Sequence, residues 1–333
     1  MNRSQVIFKA IDIFAYIPQN MTRYKGIVRI KDVPFGDNSD LEASGDIYYH
    51  EETMKKCKQE NRKMPVILNI HGGGFVMGDK KFRKSYSSFW AKNGYFVFNI
   101  NYRLAPDTQF PGYLKDSIAA INYFEALNQY YEVLDLDKVV VMGDSSGGYS
   151  TTYLGALAFD DILRETLDMP EIKIKPALLA AFCGIYDVQT LLGNNILPFK
   201  VVDVTAATFL GYDKLKEGLE NINEYEYLDY ISPSSFVNEN WCPVFLAWSN
   251  SDIVCTNQGK PFYDRLCENI GEENVGYFET SGFANNHCFH LNMTTKASKL
   301  CLAAAKEFIG NKLDFDGFVF EENEKAAQEA AAE

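Results

Sequence analysis

The sequence predicts an α/β fold: an eight-stranded, mostly parallel sheet flanked by helices, with a helical cap. Two observations lead to this. Short apolar runs of strand length alternate along the chain with longer segments whose apolar residues fall on one helical face, the pattern of βαβ units with helices on both faces of a sheet. One of those runs, Val139–Met142, leads directly into Gly143-Asp144-Ser145-Ser146-Gly147 and then into a helical pattern marked by Tyr153, Leu154 and Leu157. A buried strand, a G-x-S-x-G turn and a helix make the context of a nucleophile elbow, in which glycines permit a corner too tight for side chains and the serine hydroxyl is lifted clear.

In chain order, Val6, Ile7, Ala10, Ile11, Phe14 and Ile17 form one face of an opening helix, read as packing on its own domain. Residues 27–32 and 45–50 read as strands joined by a polar turn. Residues 54–63 are charged and read as an exposed loop. A strand at 65–70 ends at His71, a helix follows over 80–93, a strand over 95–101, and a helix over 113–130 with Leu114, Ile118, Ile121, Phe124 and Leu127 inward. After the elbow strand comes another at 176–182. The stretch 184–241 is too long for a simple crossover and is expected to fold as short helices forming a cap. Strands at 243–248 and 274–280 enclose a helix at 261–269, and Ala297, Leu300, Cys301, Ala304 and Phe308 mark a closing helix. Residues 1–320 are read as one domain, since no repeat or shift in composition divides them, and 321–333 as a disordered charged tail.

Composition narrows the function. With 47% hydrophobic residues the 333-residue chain has ample material for a large core, and a formal charge of −13 argues against nucleic acid or anionic membranes as partners. Seven cysteines are scattered without a C-x-x-C pair, so they read as reduced thiols of a cytoplasmic protein, not a disulfide frame or a metal site. No secretion signal or membrane-spanning run is read, and no stable membrane association is expected.

Ser145 needs a base. Of the four histidines, His50 ends an early strand and His71 belongs to a glycine loop. This leaves His287 and His290, of which a three-residue gap lets only one face the serine; His287 is favoured and His290 taken as structural. Asp252, just after the strand at 243–248, is the expected acid, with Asp187 as the alternative. The order Ser145, Asp252, His287 then follows the triad logic of a nucleophile, a base and an orienting carboxylate. His71-Gly72-Gly73-Gly74-Phe75 ends another strand, where backbone N–H groups can point at a developing oxyanion, joined by that of Ser146.

These residues carry a resemblance. H-G-G-G-F at 71–75, N-Y-R-L-A-P at 101–106 with Phe110-Pro111, and G-D-S-S-G-G at 143–148 resemble the hormone-sensitive-lipase-like branch of the α/β-hydrolases. Gly78-Asp79-Lys80 and Asp116 are more similar to its feruloyl-esterase-like and arylformamidase-like relatives. The resemblance covers about residues 27–310. It implies an α/β-hydrolase fold whose cap includes residues 1–25, no metal and no cofactor, and a serine carboxylic-ester hydrolase working through an acyl-enzyme. Carried over, Ser145 is the nucleophile, Asp252 the acid and His287 the base, with Gly72, Gly73, Gly74 and Ser146 at the oxyanion hole. The family's D-P-L-x-D appears here as Asp252-Ile253-Val254-Cys255-Thr256, without its second acid. Short-chain acyl or aryl esters are the expected substrates. An amidase, arylformamidase or peptidase with the same triad, and a non-catalytic small-molecule binder, are the alternatives. The edge strand at 274–280 leaves a homodimer open.

Overall fold

The computed structural model describes residues 17, 19–35, 43–194, 196 and 200–317. The expected opening helix falls almost wholly, and the expected charged tail wholly, outside them. Eight strands form one sheet: β1 (Ile27–Pro34), β2 (Ser44–His50), β3 (Met64–Ile70), β4 (Phe96–Ile100), β5 (Leu134–Asp144), β6 (Leu178–Phe182), β7 (Val244–Ser249) and β8 (Val275–Thr280). Their spatial order is β1-β2-β4-β3-β5-β6-β7-β8. The β1–β2 and β2–β4 pairs are antiparallel and all others parallel. Every residue of β3, β4, β6 and β7 is buried, which is why they read as unbroken apolar runs. β8 alternates, because it is an edge.

Side chains leave the sheet alternately, so each strand feeds two cores. Ile67, Val97, Val140, Met142 and Phe245 meet α2 (Lys84–Lys92) and α10 (Lys296–Leu313) on one face. Val66, Phe98, Val141, Leu179 and Leu246 meet the other group, α3 (Leu114–Asn122), α4 (Phe124–Tyr131), α5 (Ser146–Phe159) and α9 (Gly259–Ile270). No helix among the described residues is long and apolar enough to cross a membrane.

The region read as an exposed loop at 54–63 is corrected by helix α1 (Glu51–Glu60), which buries Thr53, Met54 and Cys57. Its apolar stripe is one residue wide per turn and hidden among charges. The charges themselves favour the helix: Glu51 and Glu52 lie in its first turn, Lys58 in its last, and Lys55 pairs with Glu51. The segment 80–93 opens with a 3₁₀ turn, Lys80–Arg83, before α2 begins. The single helix expected over 113–130 is two, α3 and α4, and a short α6 (Asp161–Thr166) follows α5. Among its described residues the stretch 184–241 holds α7 (Val188–Leu191), α8 (Val201–Leu210) and several 3₁₀ turns, and two tyrosines of α5 fasten it down: the hydroxyls of Tyr149 and Tyr153 donate to the carbonyls of Ile231 and Tyr230.

Candidate active site

The site is built at the carboxyl ends of β3, β5, β7 and β8. Between β5 and α5 the chain turns so sharply that Ser145 takes φ 54° and ψ −122°, a strained conformation for a residue with a side chain. Two hydrogen bonds hold it there: Ser145 N–H donates to the carbonyl of Phe182 (2.9 Å), and Tyr149 N–H donates to that of Ser145 (3.1 Å). The flanking glycines are required by contact. A Cβ at Gly147 would lie 2.1 Å from the carbonyl oxygen of Ile70, and one at Gly143 2.4 Å from that of Gly147. Gly147→Ala therefore forces backbone against backbone; it is expected to cost at least about 3 kcal/mol of stability, measured by urea unfolding, and a loss below about 1 kcal/mol would contradict the contact.

Ser145 Oγ lies 2.9 Å from His287 Nε2, and His287 Nδ1 lies 2.7 Å from Asp252 Oδ2. The other carboxylate oxygen of Asp252 accepts from the N–H groups of Val254 (2.8 Å) and Cys255 (2.9 Å), which fixes the carboxylate's orientation. Burial by itself would raise the Asp252 carboxyl, but His287 and these donors hold it below the usual carboxylate range. Burial by itself would lower the His287 imidazole, and the Asp252 charge overrides that to raise it well above the ordinary value. Asn286 escaped the sequence reading; its side-chain oxygen accepts from His287 N–H (2.7 Å) and from Ile253 N–H (3.2 Å), tying the loop that carries the base to the loop that carries the acid. An asparagine beside a candidate histidine is too ordinary a pattern to have signalled this.

The other candidates lie elsewhere. Asp187 caps α7, accepting from Thr190 N–H (3.1 Å). His290 is fully buried and stacked on Phe182, and burial pushes its imidazole down to about 3. His71 stacks on Tyr102 and burial pushes it to about 4. Both are neutral packing groups near pH 7. His50 faces Thr53 Oγ1 at 3.4 Å.

The glycine loop runs beside the serine. Gly73 and Gly74 have φ 137° and 62°. Their N–H groups, and that of Ser146 at the first turn of α5, donate to no acceptor among the described residues. Gly72 is placed differently: its α-carbon packs on Asp144, where a Cβ would come within 2.5 Å of Oδ2. Arg103 of the N-Y-R-L-A-P segment is bound to Asp116 on α3 through its side chain (Nη2 to Oδ1, 2.7 Å) and its backbone N–H (2.8 Å), fixing the loop after β4.

Over Ser145 lies a cavity of about 50 Å³, lined with Gly74, Phe75, Ile185, Val188, Leu191, Val202, Thr205, Ala206, Phe209 and Val254. Positions 202, 205, 206 and 209 are one face of α8, so the segment expected to form a cap supplies a wall. Phe209 stacks on Phe75 with ring centroids 3.8 Å apart. A wider groove of about 630 Å³, near Arg103, Asp116 and Tyr123, does not include Ser145. Cys183, Asp252 and His287 place ligand-type atoms within 4.8 Å of one another. Its carboxylate and imidazole are already hydrogen-bonded to each other, so the cluster needs no cation to be satisfied.

The BD-FAE family model matches residues 50–266. The chain belongs to the BD-FAE family. The match contains the glycine loop, Ser145 and Asp252, and ends before His287. A putative alpha/beta hydrolase R526 of Acanthamoeba polyphaga mimivirus is 34% identical over 106 residues, covering 32% of this chain and 30% of the relative. Arylacetamide deacetylase-like 2 of Homo sapiens is 38% identical over 104 residues, covering 30% of this chain and 25% of the relative. The chain thus aligns with less than a third of these relatives' lengths. The solved structure of esterase B from Lactobacillus rhamnosis superposes with a TM-score of 0.74 at 20% identity, covering 94% of both chains. This BD-FAE member therefore has the α/β-hydrolase fold over nearly its whole length.

Proposed function

We propose that this BD-FAE protein is a serine carboxylic-ester hydrolase acting on short-chain acyl or aryl esters. The observation that carries the reading is the unbroken relay from Ser145 Oγ through His287 to Asp252, beside backbone N–H groups that have no acceptor among the described residues. Ser145 Oγ attacks the ester carbonyl carbon while its proton passes to His287 Nε2. The carbonyl oxygen becomes an oxyanion and accepts from the N–H groups of Gly73, Gly74 and Ser146. Collapse expels the alcohol, which takes the proton from His287 and leaves the acyl group on Ser145. Water, deprotonated by the same nitrogen, then attacks the acyl carbon; the bond to Ser145 Oγ breaks, Oγ takes the proton back from His287 Nε2, and the acid is released. The positive end of α5 lies behind the serine and favours the developing negative charge. No step needs a metal or cofactor.

The test is labelling by a fluorophosphonate together with turnover of a panel of aryl esters and formyl anilides. Labelling with ester turnover supports the reading; formyl-anilide turnover well above ester turnover would replace it with an amidase; neither labelling nor turnover would leave a binder.

The small apolar cavity is the reason to expect short acyl groups. p-Nitrophenyl esters of two to four carbons should be turned over best, and activity that climbs steadily to sixteen carbons would overturn the preference. Phe209→Ala removes the ring that closes the cavity against Phe75. At roughly 0.8 kcal/mol per buried methylene, four further methylenes are worth about 3 kcal/mol, so the octanoyl-to-butyryl ratio of kcat/KM should rise by up to about 150-fold. An unchanged chain-length profile would show that the acyl group lies elsewhere.

A further inference from the structure

The relay does not use the buried charge pair of Asp144 and Arg83. Asp144, the residue before the serine, is 2% exposed, and Arg83 is 6% exposed. They meet through two parallel hydrogen bonds, Arg83 Nε to Oδ1 (2.6 Å) and Nη2 to Oδ2 (2.5 Å). Burial by itself would raise the Asp144 carboxyl; the guanidinium holds it below the usual range, so the pair is ionised. Stability is a poor reason for such a pair, because apolar residues of similar volume commonly do as well. Position is a better one. The Asp144 carboxylate packs on the α-carbon of Gly72 and receives the thiol of Cys288, whose Sγ lies 3.6 Å from Oδ2. It is thus in contact with the glycine loop, the elbow and the residue next to His287.

Arg83 is itself rooted in a fixed turn. Lys80, at the start of the same 3₁₀ turn, donates its N–H to Asn101 Oδ1 (2.7 Å), and its carbonyl accepts from Asn99 Nδ2 (2.8 Å). Its Nζ reaches Ser44 Oγ (3.0 Å) and Asp32 Oδ1 (2.7 Å). These bonds pin the turn to the ends of β4 and β2. The guanidinium is then a post of set position, and its planar fork fixes the carboxylate in both distance and rotation.

We infer that Arg83 is a positioning residue for the acyl transfer, holding Asp144 so that the oxyanion loop, the nucleophile and the base loop keep their mutual spacing. The inference rests on the esterase reading, which is tested first by labelling and turnover of the wild-type protein. The variants are Arg83→Met, Arg83→Lys and the double change Arg83→Met with Asp144→Leu, which removes both charges and avoids a stranded carboxylate. Active sites are counted with the fluorophosphonate, so a merely unfolded fraction does not lower the result. In Arg83→Met and in the double variant, kcat for p-nitrophenyl butyrate per labelled site should fall by about 100-fold, the scale of an ångström of misplacement, while KM stays within about threefold. Arg83→Lys, which keeps the charge but not the fork, should lie between these and the wild type. If Arg83→Met does not fold, the double variant decides. A folded double variant with kcat per site within about threefold of wild type would overturn the inference, as would a loss confined to KM or to the number of labelled sites.

Discussion

Ser145→Ala should lower kcat for p-nitrophenyl butyrate by about 10⁶-fold, abolish fluorophosphonate labelling and leave the melting temperature within a few degrees of wild type. The size follows from the geometry. The hydroxyl oxygen is the atom that forms the covalent bond, and it already lies 2.9 Å from Nε2 of the base. His287→Ala should cost about as much as Ser145→Ala, and the double variant no more than either. A nucleophile without its base and a base without its nucleophile are equally idle. Multiplying losses in the double variant would show that the two act in separate steps. Removing the strained serine side chain is not expected to harm the fold, since the corner is set by Gly143, Gly147 and the bond from residue 145 N–H to Phe182. Retained turnover in Ser145→Ala would end the acyl-enzyme proposal.

What could be read from the residues, and what could not, divides along physical lines. β3, β4, β6 and β7 are buried on both faces, and burial on both faces writes itself as a continuous apolar run. The elbow was legible because Gly143 and Gly147 answer a steric demand that few other residues meet. α1 does not show in the sequence because Thr53, Met54 and Cys57 occupy a narrow stripe between charges that suit either a loop or a helix. The segment 113–130 reads as one helix because its inward positions keep helical spacing across the break at Tyr123. Apart from the similarity of His287-Cys288-Phe289 to the H-G-F of the family it resembles, nothing in the residues separates His287 from His290. Backbone geometry made the difference: Cys288 takes φ 54°, and beyond it His290 turns into the core against Phe182. The pairing of Arg83 with Asp144 spans 61 positions, and a lone arginine in a basic stretch reads as solvent-exposed until the fold buries it. The length of the cap segment predicts a few short helices, but which of its side chains face Ser145 depends on how α8 is rotated about its own axis.

The second large effect is expected from Asp252→Asn, which should lower kcat by about 10⁴-fold while preserving the fold. The environment of the carboxylate makes this more than loss of a charge. The oxygen that accepts from Val254 and Cys255 N–H is held by two donors, so the asparagine oxygen will take that place. Its amide nitrogen is then left where Oδ2 now faces His287 Nδ1 at 2.7 Å. An N–H there can only donate to Nδ1, which forces the imidazole proton onto Nε2, and a protonated Nε2 cannot accept from Ser145. The pH profile gives an independent reading. His287 must be neutral to act as base, so kcat/KM falls as pH drops through its pKa. In the wild type, with burial lowering and Asp252 raising that pKa to a net increase, the acid limb should lie above the ordinary imidazole value of 6.5. Asp252→Asn removes the raising charge and leaves the burial, so its residual activity should persist to lower pH than the wild type's. Asp187→Asn is the control: its side chain caps α7, and its loss should cost at most about 2 kcal/mol of stability and leave the limb unmoved. A limb that shifts in Asp187→Asn but not in Asp252→Asn would transfer the orienting role to the loop after β6 and dismantle the relay.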